Sequence, residues 1–144
     1  MDEMATPKRI PIKEGILTSP LEEENSIRLA GMRCRDCGEV FFGKRISCEN
    51  CSGQNMQALS FGKKGILWSY TIIQNPPPPG YKVPGPFKPF GLGLVELPEG
   101  IRVLSPIDGP LEKLKIGLPL ECRIYPLYVN KEGQEVMAFK FQPV

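Results

Sequence analysis

Cys34, Cys37, Cys48 and Cys51 form two Cys-x2-Cys pairs separated by ten residues, in a chain of 144 residues that contains no histidine. A Cys-x2-Cys turn brings two thiolates onto one ion, and two such turns on facing hairpins supply the four sulfurs of a tetrahedral metal site. Gly38 follows the first pair and Ser52-Gly53 follows the second. Small residues there let backbone amides turn toward the sulfurs and hydrogen-bond them. The competing use of paired cysteines, a redox couple, needs a β-α-β unit and a thiolate at a helix start. No helical pattern follows either pair. A structural metal is therefore expected on Cys34, Cys37, Cys48 and Cys51, zinc ahead of iron, although a four-thiolate set also suits iron. With no open coordination position, such an ion folds the ribbon and does not activate water. Cys122, between Glu121 and Arg123 in a strand-like run, reads as a small core residue rather than a nucleophile.

The elements around these residues are nearly all extended. "SIRLAGMRC" alternates Ile27, Leu29 and Gly31 against Arg28, Ala30 and Met32, as a strand entering the first knuckle would. Beyond the ribbon, the β-rich run 65–74 is followed by two strands over 90–107 joined at "PEG", and by a hairpin of 119–129 and 134–144. Five strands at this spacing predict a small closed barrel of the oligonucleotide/oligosaccharide-binding (OB) type. "DGPLEKLKIG" leaves room for at most a turn or two of helix. The expected order is an N-terminal extension (1–25), a rubredoxin-like four-cysteine zinc ribbon (26–60) and an OB-fold domain (61–144). Ser19, Pro20 and Glu22 suit the start of a short helix in the extension.

Between the first two barrel strands, residues 75–90 carry seven prolines and cannot continue a sheet. They also carry Tyr81, Phe87 and Phe90 with Lys82 and Lys88, a rigid aromatic surface suited to docking. Between Glu49 and Glu96 there is no acidic residue, while Lys63, Lys64, Lys82 and Lys88 lie inside that interval. The surface it forms favours anionic ligands if the lysines cluster in space.

No apolar run approaches membrane-spanning length, and the N-terminus lacks the apolar core of a signal peptide. A cytoplasmic location is expected, where paired cysteines are metal ligands or catalytic groups more often than disulfides. Hydrophobic residues at 41% and charged residues at 24% describe an ordinary globular protein.

In order, "LAGMRCRDCGEVFFGKRISCENC", "GKKGILWSYTII" with its proline-rich continuation, "FGLGLVELPEGIRVLSPI", "IGLPLECRIYPL" and "FKFQPV" resemble the acyl-CoA-associated zinc-ribbon/OB-fold proteins long catalogued as a domain of unknown function. The resemblance covers residues 27–144. It departs in two places: "CENC" lacks the family's usual proline after the first cysteine, and Gly43 replaces another. Neither is a ligand, so the shape of the ribbon is put in doubt and the metal site is not.

The resemblance implies a non-catalytic accessory subunit that sits beside a thiolase-like enzyme in a hetero-oligomer and helps bind or position a coenzyme A thioester. Lys63, Lys64, Lys82 and Lys88 would then meet phosphates of coenzyme A, and Tyr81, Phe87 or Phe90 would stack on it or on the partner. Thiolase chemistry needs a nucleophilic thiol and a base, normally cysteine and histidine, so those groups would belong to the partner. The alternative is a single-stranded nucleic-acid binder, since ribbons and OB barrels both serve that role. A pI of 8.3 with acid-rich ends weighs against it. An iron-bearing electron carrier would leave the barrel without a use.

Overall fold

The computed structural model describes residues 8–21, 23, 26–79 and 86–144. Its strands are β1 (Arg9–Pro11), β2 (Ala30–Cys34), β3 (Val40–Phe42), β4 (Met56–Ser60), β5 (Lys64–Ile73), β6 (Phe90–Glu96), β7 (Arg102–Ile107), β8 (Pro119–Val129) and β9 (Glu135–Pro143). A single 3-10 turn, Leu111–Lys113, occupies the segment between β7 and β8. No helix among the described residues is long and apolar enough to cross a membrane.

Strands β2, β3 and β4 form an antiparallel three-stranded sheet with β2 at its centre. The remaining long strands close on themselves in the order β5-β6-β7-β9-β8, with β8 returning to β5. The period-2 pattern drives the closure. In β6, "FGLGLVE", every second residue is buried, and in β7 Val103, Ser105 and Ile107 are buried while Arg102 and Leu104 face out. Each fully buried Leu, Val or Phe on the inner face contributes about 2 kcal/mol of apolar burial. Gly93 lets β5 and β6 approach closely, since a Cβ there would stand 2.6 Å from Leu67 Cδ1 and 3.0 Å from Ser69 O. Pro126 is tolerated in β8 because the register shifts between Pro126 and Tyr128.

The barrel closes most narrowly between β7 and β9, which pair in parallel at Ile107 and Phe141, and Asp108 N donates to Phe141 O at 2.8 Å. Ahead of that point β9 has a different neighbour. Strand β1 runs parallel to Glu135–Met137, locked by Glu135 N to Lys8 O and Ile12 N to Met137 O, both 2.8 Å, and by an Arg9–Glu135 ion pair of 2.9 Å. Part of the N-terminal extension is thus built into the barrel wall. Of the helix expected from Ser19, Pro20 and Glu22, Ser19 lies in a bend and Leu21 in a turn, while Glu22 lies outside the described residues. Residues 16–18 run beside 28–30, with Thr18 N donating to Arg28 O at 2.9 Å and Ala30 N to Ile16 O at 2.8 Å.

Ribbon and barrel share one core. Ile27, Leu29 and Phe61, at the two ends of the ribbon, pack into the same cluster as Leu67, Leu97, Leu120, Met137 and Phe141. Within residues 31–57 the only buried residues are Gly31, Cys34, Gly43 and Cys48. The ribbon has no apolar core of its own.

Candidate metal centre and docking groove

The two knuckles are the same backbone device repeated fourteen residues apart. Gly38 N donates to Cys34 O and Ser52 N to Cys48 O, both at 2.8 Å; Cys34 N donates to Glu39 O at 2.8 Å and Cys48 N to Gly53 O at 2.7 Å. The turn forces a left-handed residue at the fifth position, Gly38 at φ 84° in the first knuckle and Ser52 at φ 66° in the second. Serine has a Cβ to accommodate there and glycine has none. Ser52→Gly is expected to raise stability by about 1 kcal/mol, seen as an upward shift of the thermal midpoint without change in metal content.

The four sulfurs lie within 4.8 Å of one another, with Cys34–Cys51 at 3.6 Å and Cys37–Cys48 at 3.5 Å. A tetrahedron with zinc–sulfur bonds of about 2.3 Å has edges of about 3.8 Å, so the set is sized for that ion. Amides point at the sulfurs: Asn50 N and Cys51 N donate to Cys48 Sγ at 3.3 and 3.4 Å, and Asn50 Nδ2 reaches Cys37 Sγ at 3.6 Å. Without an ion the thiols conflict. The Glu39 amide and the Asn50 side chain bring the Cys37 thiol down to about 7. The Gly53 amide acts the same way on Cys51, yet the Cys34 sulfur, desolvation and the other two sulfurs push it up to about 12. Four thiolates this close are all anionic only with a cation among them.

Cys122 is buried in the barrel core, and desolvation pushes its thiol up to about 12 against the pull of Lys63 and Arg28. At neutral pH it is a protonated packing residue, as its position in the sequence suggested.

An apolar recess lies outside the barrel, where the end of the β5–β6 loop meets β7, β8 and β9. It encloses about 520 Å³ between Phe87, Phe90, Leu104, Pro106, Tyr125 and Phe139. Phe87 and Phe90 meet edge to face at 6.3 Å. Lys88 is exposed at its edge, and Lys140 is held 2.9 Å from Asp108 and 4.5 Å over the Tyr125 ring. Burial, and then Asp108, raises the Tyr125 phenol above its ordinary range. Leu104 is 59% exposed and joins the groove to the outer face of β5–β7, where Trp68, 44% exposed, carries the Arg102 guanidinium 3.9 Å above its ring. Arg102 in turn pairs with Glu96 at 3.3 Å. Exposed Trp68 and Leu104 beside half-buried Phe87 and Phe90 make an apolar surface of the kind suited to docking.

The described lysines of the acid-free interval line different recesses. Lys88 borders the apolar groove, Lys64 lines a small recess with Leu97, Pro119 and Val144, and Lys63 lines a third cavity between ribbon and barrel. Tyr81 and Lys82 lie outside the described residues. Sequence reasoning missed Leu104, Tyr125, Phe139 and Lys140, which come from three strands and meet Phe87 and Phe90 through barrel closure alone. The one local signal was Leu104, an apolar residue on the polar phase of β7.

Residues 22–57 match the family described as "ChsH2, rubredoxin-like zinc ribbon domain", and residues 60–124 match "ChsH2, C-terminal OB-fold domain". The chain is 33% identical over 119 residues to a DUF35 domain-containing scaffold protein of Pyrococcus furiosus, covering 81% of this chain and 84% of that one. Over 119 residues it is 25% identical to the benzoylsuccinyl-CoA thiolase subunit BbsA of Thauera aromatica, covering 81% and 76%. Among solved structures, an Ltp2-ChsH2(DUF35) aldolase superposes with a TM-score of 0.60 at 26% identity, over 81% of this chain and 84% of that chain. The expected fold, a four-cysteine ribbon ahead of a five-stranded OB barrel, is the one found.

Proposed function

Because the chain belongs to the ChsH2/DUF35 family of zinc-ribbon and OB-fold proteins, we propose that it is a non-catalytic accessory subunit of a thiolase-type acyl-CoA enzyme. In this role Cys34, Cys37, Cys48 and Cys51 hold one structural zinc, which supplies folding energy and no chemistry. Phe87, Phe90 and Leu104 dock the catalytic subunit, and Lys88 lies at the edge of that contact. The coenzyme A thioester is bound jointly, with the basic side chains of this chain meeting its phosphates.

The observation that carries this reading is that similarity to a thiolase subunit runs through both ribbon and barrel. The sequence adds that there is no histidine to serve as a base, and the fifth cysteine is buried. A subunit built this way contributes binding surface and geometry, and the reacting groups lie elsewhere.

Tandem expression with the thiolase-like gene nearest its own is the direct test. The chain is expected to co-purify with that product in fixed ratio, to contain one zinc, and to turn over no acyl thioester alone. Turnover of an acyl thioester by the isolated chain would overturn the proposal.

A further inference from the structure

The ribbon sheet ends in a strand whose outer edge is bare. The terminal strands of the two sheets are β1, β3 and β4, since β8 closes onto β9. A free strand edge invites pairing with another chain, and proteins blunt it with short strands, charges or proline. Strand β1 is three residues long, carries Arg9 and ends in Pro11. Strand β3 is equally short, and the Arg45 guanidinium lies 5.7 Å over its Phe41 ring. Strand β4 differs from both: Met56-Gln57-Ala58-Leu59-Ser60 has no charge and no proline, and pairs with β2 in unbroken register.

The phase of the ladder decides which groups face out. Arg35 N donates to Asn55 O at 2.9 Å and Phe61 N to Leu29 O at 2.8 Å. With those bonds at the two ends of the register, Gln57 and Leu59 exchange bonds with β2, and Met56, Ala58 and Ser60 turn their peptide groups away from it. Met56 N bends back to Gln54 O at 3.0 Å. Among the described residues, Met56 O, Ala58 N, Ala58 O and Ser60 N meet no backbone partner. Gln57, Ala58 and Ser60 are exposed. On the outer face of the sheet, Ala58 and its cross-strand neighbour Met32 line a recess of about 620 Å³ with Ala30 and Leu17. Ala58 contributes only a methyl, so the way from the edge into that recess is open.

An edge of this kind takes an extended backbone, whose own donors and acceptors complete the ladder, and the recess takes one side chain of the added strand. Size decides the source. Five residues span about 17 Å. Two copies joined β4 to β4 would bury far less than the roughly 800 Å² per partner of a stable interface. The added strand therefore belongs to a protein that is held by a second contact as well. No charge along β4 offers a partner to a charge opposite it, so the segment is uncharged where it pairs.

We propose that β4 is completed by an extended, uncharged segment of the catalytic subunit, which adds to Met56–Ser60 as a fourth ribbon strand and sets an apolar side chain beside Ala58. The source of that strand rests on the accessory-subunit reading; the bare edge does not.

Amide exchange read residue by residue tests it, in the zinc-loaded chain alone and in the complex co-purified with the thiolase-like product. In the isolated chain Ala58 and Ser60 are expected to exchange fast, and Gln57 and Leu59 slowly. In the complex, exchange at Ala58 and Ser60 should slow at least about 100-fold. Ala58→Pro removes an outward N–H and no bond to β2, a change that edge strands tolerate. It should weaken the complex at least about tenfold, while zinc content and the thermal midpoint of the free chain stay as they are. The exchange measurement needs no variant, so it decides even where Ala58→Pro fails to fold.

Exchange at Ala58 and Ser60 as fast in the complex as in the free chain overturns the proposal, as does an Ala58→Pro chain that binds the partner like the wild type. Protection in the isolated chain that grows with its concentration assigns the edge to a second copy, and protection independent of concentration shows it covered from within; either overturns the partner strand. Co-purification is scored separately. A complex whose β4 edge stays bare disproves this inference alone, whereas the absence of any complex disproves the accessory reading and the strand's source with it.

Discussion

Cys34→Ser is expected to abolish stoichiometric zinc, to melt the ribbon, and to leave the barrel folded but less stable. Cys34 is fully buried at the end of β2, and its sulfur is one vertex of the four-thiolate set. Within residues 31–57 only two glycines and two cysteines are fully buried, and the apolar support is limited to partly buried Val40 and Phe42 against the barrel's cluster, so the knuckles themselves gain little from apolar burial. Zinc binding to four thiolates is worth on the order of 10 kcal/mol, and that energy holds the ribbon. Ile27, Leu29 and Phe61 belong to the barrel's cluster, so the damage reaches the barrel through lost packing at the seam. The expected record is two events: early loss of ribbon amide protection by hydrogen exchange, then a barrel transition at reduced temperature. Prolonged treatment with a strong chelator should reproduce the first event in the wild type. A Cys34→Ser chain with full ribbon protection and no metal would show that something other than the ion organises residues 31–57.

That the four cysteines converge in a ribbon was legible in their spacing, because four residues within an eighteen-residue stretch leave little topology to guess. The barrel was legible for the same local reason: β6 and β7 are β-rich runs that meet at a tight turn, and β8 and β9 are joined across "NKEG". Strand β1 was not legible. Three residues ending in proline carry no periodic signal, and their partner Glu135–Met137 lies more than a hundred positions away. Nor could the sequence distribute the lysines. The acid-free interval is a property of the chain, whereas electrostatic potential is a property of the surface. Lys63 and Lys64 are adjacent in sequence but face different cavities, and the cations that join Lys63, Arg28 and Arg123, lie outside the interval altogether. The signal available was phase: Arg28 lies between the buried Ile27 and Leu29 and Arg123 between the buried Cys122 and Ile124, so each had to project away from its own buried face. Joining the two faces requires knowing that the β4–β5 connection passes over β8.

The same dispersal bears on what the barrel recognises. An OB face that binds single strands combines a basic groove tracking the backbone with stacking aromatics. Here Lys140, beside the aromatics, is already engaged, paired with Asp108 over the Tyr125 ring, and the described cations do not form one continuous groove. Phe87, Phe90 and Leu104 share an apolar groove, Trp68 is capped by an arginine already paired to Glu96, and Lys63 and Arg123 lie at the seam. Apolar anchors in one groove, with no basic track running beside them, favour a protein partner over a polynucleotide.

Leu104→Glu is therefore expected to break the complex while sparing the fold. Leu104 is 59% exposed in the free chain, so the substitution should change its stability by no more than about 0.5 kcal/mol. In the complex the same position is covered on the proposed reading, and a carboxylate buried there without a partner costs several kcal/mol. Asp108, already at the groove and 2.9 Å from Lys140, adds like-charge repulsion and leaves that lysine occupied. Affinity for the catalytic subunit should fall at least about 100-fold, read by analytical ultracentrifugation or surface-based binding, with catalytic activity lost in parallel and restored at high subunit concentration. Lys131→Glu, in the exposed β8–β9 turn, makes the same charge change in sign and should leave the complex intact. Should Leu104→Glu bind its partner as tightly as the wild type, the groove faces solvent in the assembly, and the docking surface must be sought on the ribbon, where Ile46 stands 84% exposed between two basic knuckle residues and Cys48.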